Sequence, residues 1–150
     1  MGRVARSSLP DGFFHVYARG VDSAPPLFRD DDDRRVFLRL VWRTTRKHRW
    51  RCHAICILGT HYHLVVETSR ERLSAGMLAL NGHYARYANA RHRRFGHVFA
   101  ERFSSRGIES EAYLFDACAY VVLNPVRAGL CIRAEDWPWS YCSFGLEAAA

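Results

Sequence analysis

The 150-residue chain has the length of one domain, and its 49% hydrophobic and 25% charged residues give a globular balance that excludes intrinsic disorder, collagen-like repeats and a coiled coil. No apolar run approaches the roughly 18–20 residues of a membrane helix, and the polar Met1–Pro10 segment has no signal-peptide core, so a cytoplasmic protein with no membrane partner is expected. Twenty-two basic residues against 15 acidic ones leave a net charge of +7, which points to nucleic acid as the natural partner.

Gly12 to Arg19 (GFFHVYAR) alternates bulky apolar and polar residues, which predicts a strand. Asp22 to Pro26 supplies turn chemistry, and Asp30–Asp33 places acids where a helix opens, that helix running to about Lys47. Trp50–Leu58 and His61–Thr68 are two apolar runs broken only by Gly59-Thr60, a hairpin pattern. Leu73, Met77, Leu80, Tyr84 and Tyr87 repeat at three and four, predicting a helix from Leu73 to about His92. His97–Ile108 contains a fourth strand. Glu109 or Ser110 opens a third helix that Asn124-Pro125 ends, and the tail with Trp137-Pro138-Trp139 is expected to pack back on the body.

The order strand–helix–strand–strand–helix–strand predicts an α+β fold: a single ferredoxin-like split βαβ domain over residues 1–150, a four-stranded antiparallel sheet with helices on one face. Lys47 is the only lysine, so the basic charge is otherwise arginine. Arginine suits phosphate forks and base stacking, although GC-rich coding produces the same excess. Eight basic and no acidic residues lie between Arg34 and Arg51, and six arginines against Glu101 between His83 and Arg106. From Glu109 onward six acids face two arginines. This distribution suggests one positive face, a pattern that solvated helices share.

His61-Tyr62-His63 puts two imidazoles on the same face of a strand, either half of a metal site or two ordinary strand histidines. Cys52, His53 and Cys56 on the preceding strand match no zinc-finger spacing, and Cys52 and Cys56 are expected to share a face that His53 does not. An odd number of cysteines, five, with no CxxC pair argues against a disulfide framework. Tyr120 and Asn124, four apart, share a helix face. A tyrosine hydroxyl can act as a nucleophile and an amide oxygen can join a hard-metal site. Equally, Tyr120 fits a core position and Asn124 an N-cap before Pro125.

Three stretches together resemble a known family. They are His61-Tyr62-His63 with Leu64–Glu67 behind it, Gly96–Phe99 through Arg102-Phe103, and Tyr120–Leu130 (YVVLNPVRAGL), with Asp136–Ser140 completing the set. Over roughly residues 10–142 the chain is similar to the REP-associated tyrosine transposases, a bacterial group of HUH-type single-tyrosine transposases. The resemblance implies that His61, His63 and Asn124 hold a divalent metal, Mg²⁺ or Mn²⁺, and that Tyr120 is the catalytic nucleophile, with Tyr113 and Tyr84 as rivals by residue type. It implies a single-stranded or hairpin DNA substrate cut through a 5′-phosphotyrosine. The chain departs from the family at Gly59-Thr60, where Pro-Asn is usual. Arg19, Arg102 and Arg106 are the nominated DNA contacts. A monomer with its tyrosine in cis is expected rather than a dimer. The alternative reading is a non-catalytic hairpin-DNA or RNA-binding module on the same fold.

Overall fold

The computed structural model describes residues 11–22 and 25–146; Met1–Pro10 and part of the Asp22–Pro26 turn lie outside the described residues. The elements are β1 (Gly12–Arg19), α1 (Asp31–Lys47), β2 (Arg51–Ile57), β3 (His61–Thr68), α2 (Arg70–His92), β4 (Ser104–Ile108), α3 (Glu111–Val122), α4 (Asn124–Arg127), a 3₁₀ turn at Ala134–Asp136, and β5 (Ser140–Cys142). Helix α1 starts where the acids predict: Asp30 caps the Asp33 amide, Asp31–Asp33 fill the first turn, and Arg46 and Lys47 sit in the last. Ser69 and Ser110 cap α2 and α3 in the same way.

The sheet runs β4-β1-β3-β2-β5 with every neighbouring pair antiparallel. The first four strands have the ferredoxin-like order. Two features differ from the expectation of four strands and helices on one face. Phe14, Val16, Tyr62, Leu64 and Val66 pack with Phe37 and Val41 of α1 and Met77, Leu80 and Tyr84 of α2. Ala54, Cys56 and Val65 pack on the opposite face against Leu114, Cys118, Val121 and Val122 of α3. Strands β2 and β3 carry unbroken apolar runs, Ala54–Leu58 and Leu64–Val66, so both of their faces must be covered.

The second difference is the fifth strand, which occupies the β2 edge that would otherwise expose unpaired backbone groups. As expected, the tail packs back: Trp137 Nε1 donates to the Ile57 carbonyl at 3.0 Å and Trp139 Nε1 to Asp31 Oδ1 at 3.1 Å. Strand β2 contains a bulge at His53, because Cys52 pairs with Val66 and Ala54 with Val65. The extra residue changes the parity of the strand. Cys52 therefore packs toward α1 and α2 while Cys56 faces α3, contrary to the shared face expected for them.

Topology also redistributes the charge. The Arg34–Arg51 run rides on α1 and the turn after it, across the sheet from α3. Arg34 and Arg35 there pair with Asp31 and Asp32 of their own helix, at 3.2 and 2.6 Å. Helix α2, which carries Arg86 and Arg91 of the second run, packs beside α1 on that same side, whereas Arg106 at the end of the run lines the cavity on the α3 side. Among the described residues no helix is long and apolar enough to cross a membrane.

Candidate functional site

His61 and His63 lie on the α3 face of β3, as strand alternation requires, with ring centroids 5.3 Å apart and planes at 83°. Helix α3 carries Tyr120 across from His63, with ring centroids 6.1 Å apart, and Tyr120 is half exposed. Between the sheet and α3 opens a cavity of about 570 Å³, lined by His15, Tyr17, His63, Ser104, Ser105, Arg106, Ala117 and Tyr120. One chain thus supplies both the imidazoles and the facing phenol.

Both imidazoles are held by the same ring atom. His61 Nδ1 lies 3.0 Å from Thr60 Oγ1, and His63 Nδ1 lies 3.0 Å from His15 Nε2. No hydrogen bond among the described residues engages either Nε2. Burial lowers the pKa of all three histidines. His63 is pushed to about 3, with His15, His61 and Arg127 adding like-charge repulsion, and the Arg106 charge adds to burial at His15. The rings are thereby kept neutral, the form that ligates metal.

Asn124 opens α4 without capping it. Its amide Nδ2 donates back to the Tyr120 carbonyl at 3.3 Å. A carbonyl can only accept, so the Asn124 Oδ1 points away from that bond. Arg127 Nη2 donates to the same carbonyl, and the Arg127 guanidinium sits 4.2 Å over the Tyr120 ring. Asn124 makes no hydrogen bond to either imidazole.

The nominated arginines fare differently. Arg106 lines the cavity. Arg102 is exposed and makes no ion pair among the described residues. Arg19, at the end of β1, is engaged by Asp22 at 2.9 Å and Glu101 at 3.6 Å. Of the rival tyrosines, Tyr84 is fully buried on the far side of the sheet and donates to the Leu27 carbonyl. Tyr113 is exposed near the start of α3. A closer rival is Tyr17 of β1, with its ring 5.5 and 5.0 Å from those of His61 and His63.

Nothing in the sequence pattern marks His15, Thr60 or Arg127 as site residues. The alternation of GFFHVYAR signals that His15 and Tyr17 share a face, but only the pairing of β1 with β3 sets Tyr17 opposite His63.

The donor types fit a divalent ion: two imidazoles whose Nε2 atoms make no hydrogen bond among the described residues, and the Asn124 amide oxygen at the start of α4. Nitrogens each about 2.1 Å from one ion require rings as close as these. Among the described residues no three His, Cys, Asp or Glu side chains cluster to hold a metal. Burial keeps the Cys56 thiol protonated, pushing its pKa to about 11.

No protein-family model and no curated protein sequence matches this chain. Its fold does match solved structures. One is a REP-associated tyrosine transposase bound to a REP hairpin, with a TM-score of 0.74 and 15% identity over 93% of this chain and 82% of that one. Another is a candidate transposase from Deinococcus radiodurans R1, with a TM-score of 0.54 and 11% identity over 75% of this chain and 88% of that one. At these identities the likeness establishes the fold.

Proposed function

We propose that this chain, folded as a tyrosine transposase is folded, nicks and rejoins single-stranded DNA presented as a hairpin. The observation that carries the reading is the placement of Tyr120 in an open cavity with His63, whose same-face neighbour is His61, the Nε2 of each histidine making no hydrogen bond among the described residues. Hairpin DNA is the substrate class because the solved structure of like fold holds a REP hairpin. His61, His63 and Asn124 would hold the divalent ion, and two imidazoles make Mn²⁺ at least as good a match as Mg²⁺. When bound, the ion polarises the scissile phosphate for in-line attack.

The remaining steps belong to the protein. Tyr120 Oη loses its proton to solvent and attacks phosphorus. The bond from phosphorus to the 3′ oxygen breaks, and that oxygen takes up a proton and leaves as a free 3′-OH. The product is a 5′-phosphotyrosine, which keeps the phosphodiester linkage count unchanged, so a second 3′-OH can reverse the step without ATP. Arg127 over the ring places a cation beside the developing phenolate, and Arg106 in the cavity wall offsets phosphate charge.

The test is incubation of the protein with a 3′-labelled hairpin and Mn²⁺, followed by denaturing electrophoresis, because a 5′-phosphotyrosine leaves the protein on the 3′ fragment. A covalent protein–DNA band lost in Tyr120→Phe is the expected result. A hairpin that is shifted but never cut would replace this reading with a binding module.

A further inference from the structure

We propose that His15 is a positioning residue which, together with Thr60, presents the two imidazoles Nε2-first to the divalent ion; this rests on the metal-site reading above. A neutral imidazole has one N–H and one lone pair. The 3.0 Å contact between His15 Nε2 and His63 Nδ1 can therefore hold only one proton. If that proton is on His15, His63 is protonated at Nε2 and has no lone pair to offer there. If it is on His63 Nδ1, the Nε2 lone pair is free and His15 carries its own proton on Nδ1. Only the second arrangement lets His63 ligate through Nε2, and it requires His15 Nε2 to be the acceptor.

The sheet builds this contact. His15 pairs with Val65 and Tyr17 with His63 in adjacent register, so His15 and His63 are diagonal neighbours on one face. Their rings lie 5.2 Å apart at 33°. The His15 ring also meets Tyr120 edge-on at 5.7 Å, so it is walled in from the α3 side and has little freedom to turn away. Thr60 Oγ1 gives His61 the matching restraint at its Nδ1. Thr60 is the position where the chain departs from the family pattern, and its hydroxyl keeps a polar partner beside the first histidine. A partner on the non-ligating nitrogen fixes ring orientation and tautomer, and losing such a partner typically weakens metal binding about 10–100-fold.

Two measurements test this without reading activity. In metal-free protein, two-bond ¹H–¹⁵N correlation spectra should show His63 as the Nδ1–H tautomer, and His15→Leu should convert it to a mixture. Mn²⁺ titration followed by electron paramagnetic resonance should give about a 10–100-fold higher dissociation constant for His15→Leu, largely recovered in His15→Gln, whose side-chain oxygen can accept from His63. A filler role would lower the melting temperature of both variants without this difference between them. Wild-type His63 found as the Nε2–H tautomer, or His15→Leu binding Mn²⁺ like wild type, overturns the proposal. Wild type that binds no Mn²⁺ overturns the metal-site reading instead, and the tautomer spectrum, which needs no folded variant, still decides the part played by His15.

Discussion

Acidification offers a quantitative probe of the site. His63 is 6% exposed and its pKa is pushed down to about 3 by burial, against about 6.5 in an unfolded chain. A pKa lowered on folding means that the unfolded state binds the proton more tightly. The stabilisation from keeping His63 neutral is therefore complete above about pH 6.5 and drains away as the pH falls toward the folded value. Between pH 8 and pH 5 the unfolded histidine gains about 1.5 pH units' worth of proton binding that the folded one does not, or about 2 kcal/mol. That figure hardly depends on how far below pH 5 the folded value lies. Carboxylates are ionised across most of this window, so the histidines dominate it. Urea unfolding at pH 8, 6.5 and 5, with EDTA present, should show wild type losing about 1 M of midpoint more than His63→Gln, given the urea sensitivity of small domains. Equal losses in the two proteins would refute the claim that His63 is buried in its neutral form.

Three further outcomes follow from the geometry. Tyr17→Phe should still form the covalent DNA adduct while Tyr120→Phe should not; the reverse result on denaturing gels would move the nucleophile to β1, whose tyrosine is also within ring contact of the histidines. In α2, Gly76→Ala should destabilise by about 1–3 kcal/mol in chemical denaturation, because a Cβ would lie 2.3 Å from Trp50 Cζ2 and the Trp50 indole is tied to the Arg72 carbonyl; Gly82→Ala, whose Cβ would meet only Arg86 Nη1 at 3.6 Å, should stabilise by up to about 1 kcal/mol. Hairpin binding should weaken with a log–log salt slope near −0.7 per phosphate contact, and Phe95→Ala should weaken it further, by about 1–3 kcal/mol if a base stacks there, since Phe95 is 96% exposed between Arg94 and Gly96.

Alternation, apolar runs, helical periods and helix-end residues made β1 to β3 and the three main helices legible, and with them the shared face of His61 and His63, whereas the exposed SSRGI of β4 carries no alternation and was legible only as part of His97–Ile108. The two-sided sheet was also written in the chain, as the unbroken runs Ala54–Leu58 and Leu64–Val66, which an amphipathic strand would not carry. Strand β5 was not legible because Ser140–Cys142 is three residues long and is a strand only by virtue of the β2 edge beside it. The same holds for the partners of the two histidines. Thr60 reads as a turn residue and His15 as one polar position in a strand, and their role depends on register, which is a property of strand pairs. The Arg34–Arg51 run was visible as charge, but its side of the sheet was set by where the crossover helix packs.

The bulge at His53 gives β2 one residue of slack. If His53 were absent, Ala54 would follow Cys52 directly and still meet Val65, restoring a regular ladder with both cores undisturbed. The loss would fall on the local contacts of His53, to Glu67 at 3.1 Å and to the Ser143 amide at 2.8 Å. Strand β3 has no such reserve. Dropping one residue between Tyr62 and Thr68 would leave every side chain on one side of the gap facing the wrong layer, sending His61 and His63 among Phe37 and Tyr84 or Val66 out toward α3. Tolerance to a change in chain length is therefore concentrated in the strand beside the site and absent from the strand that bears it.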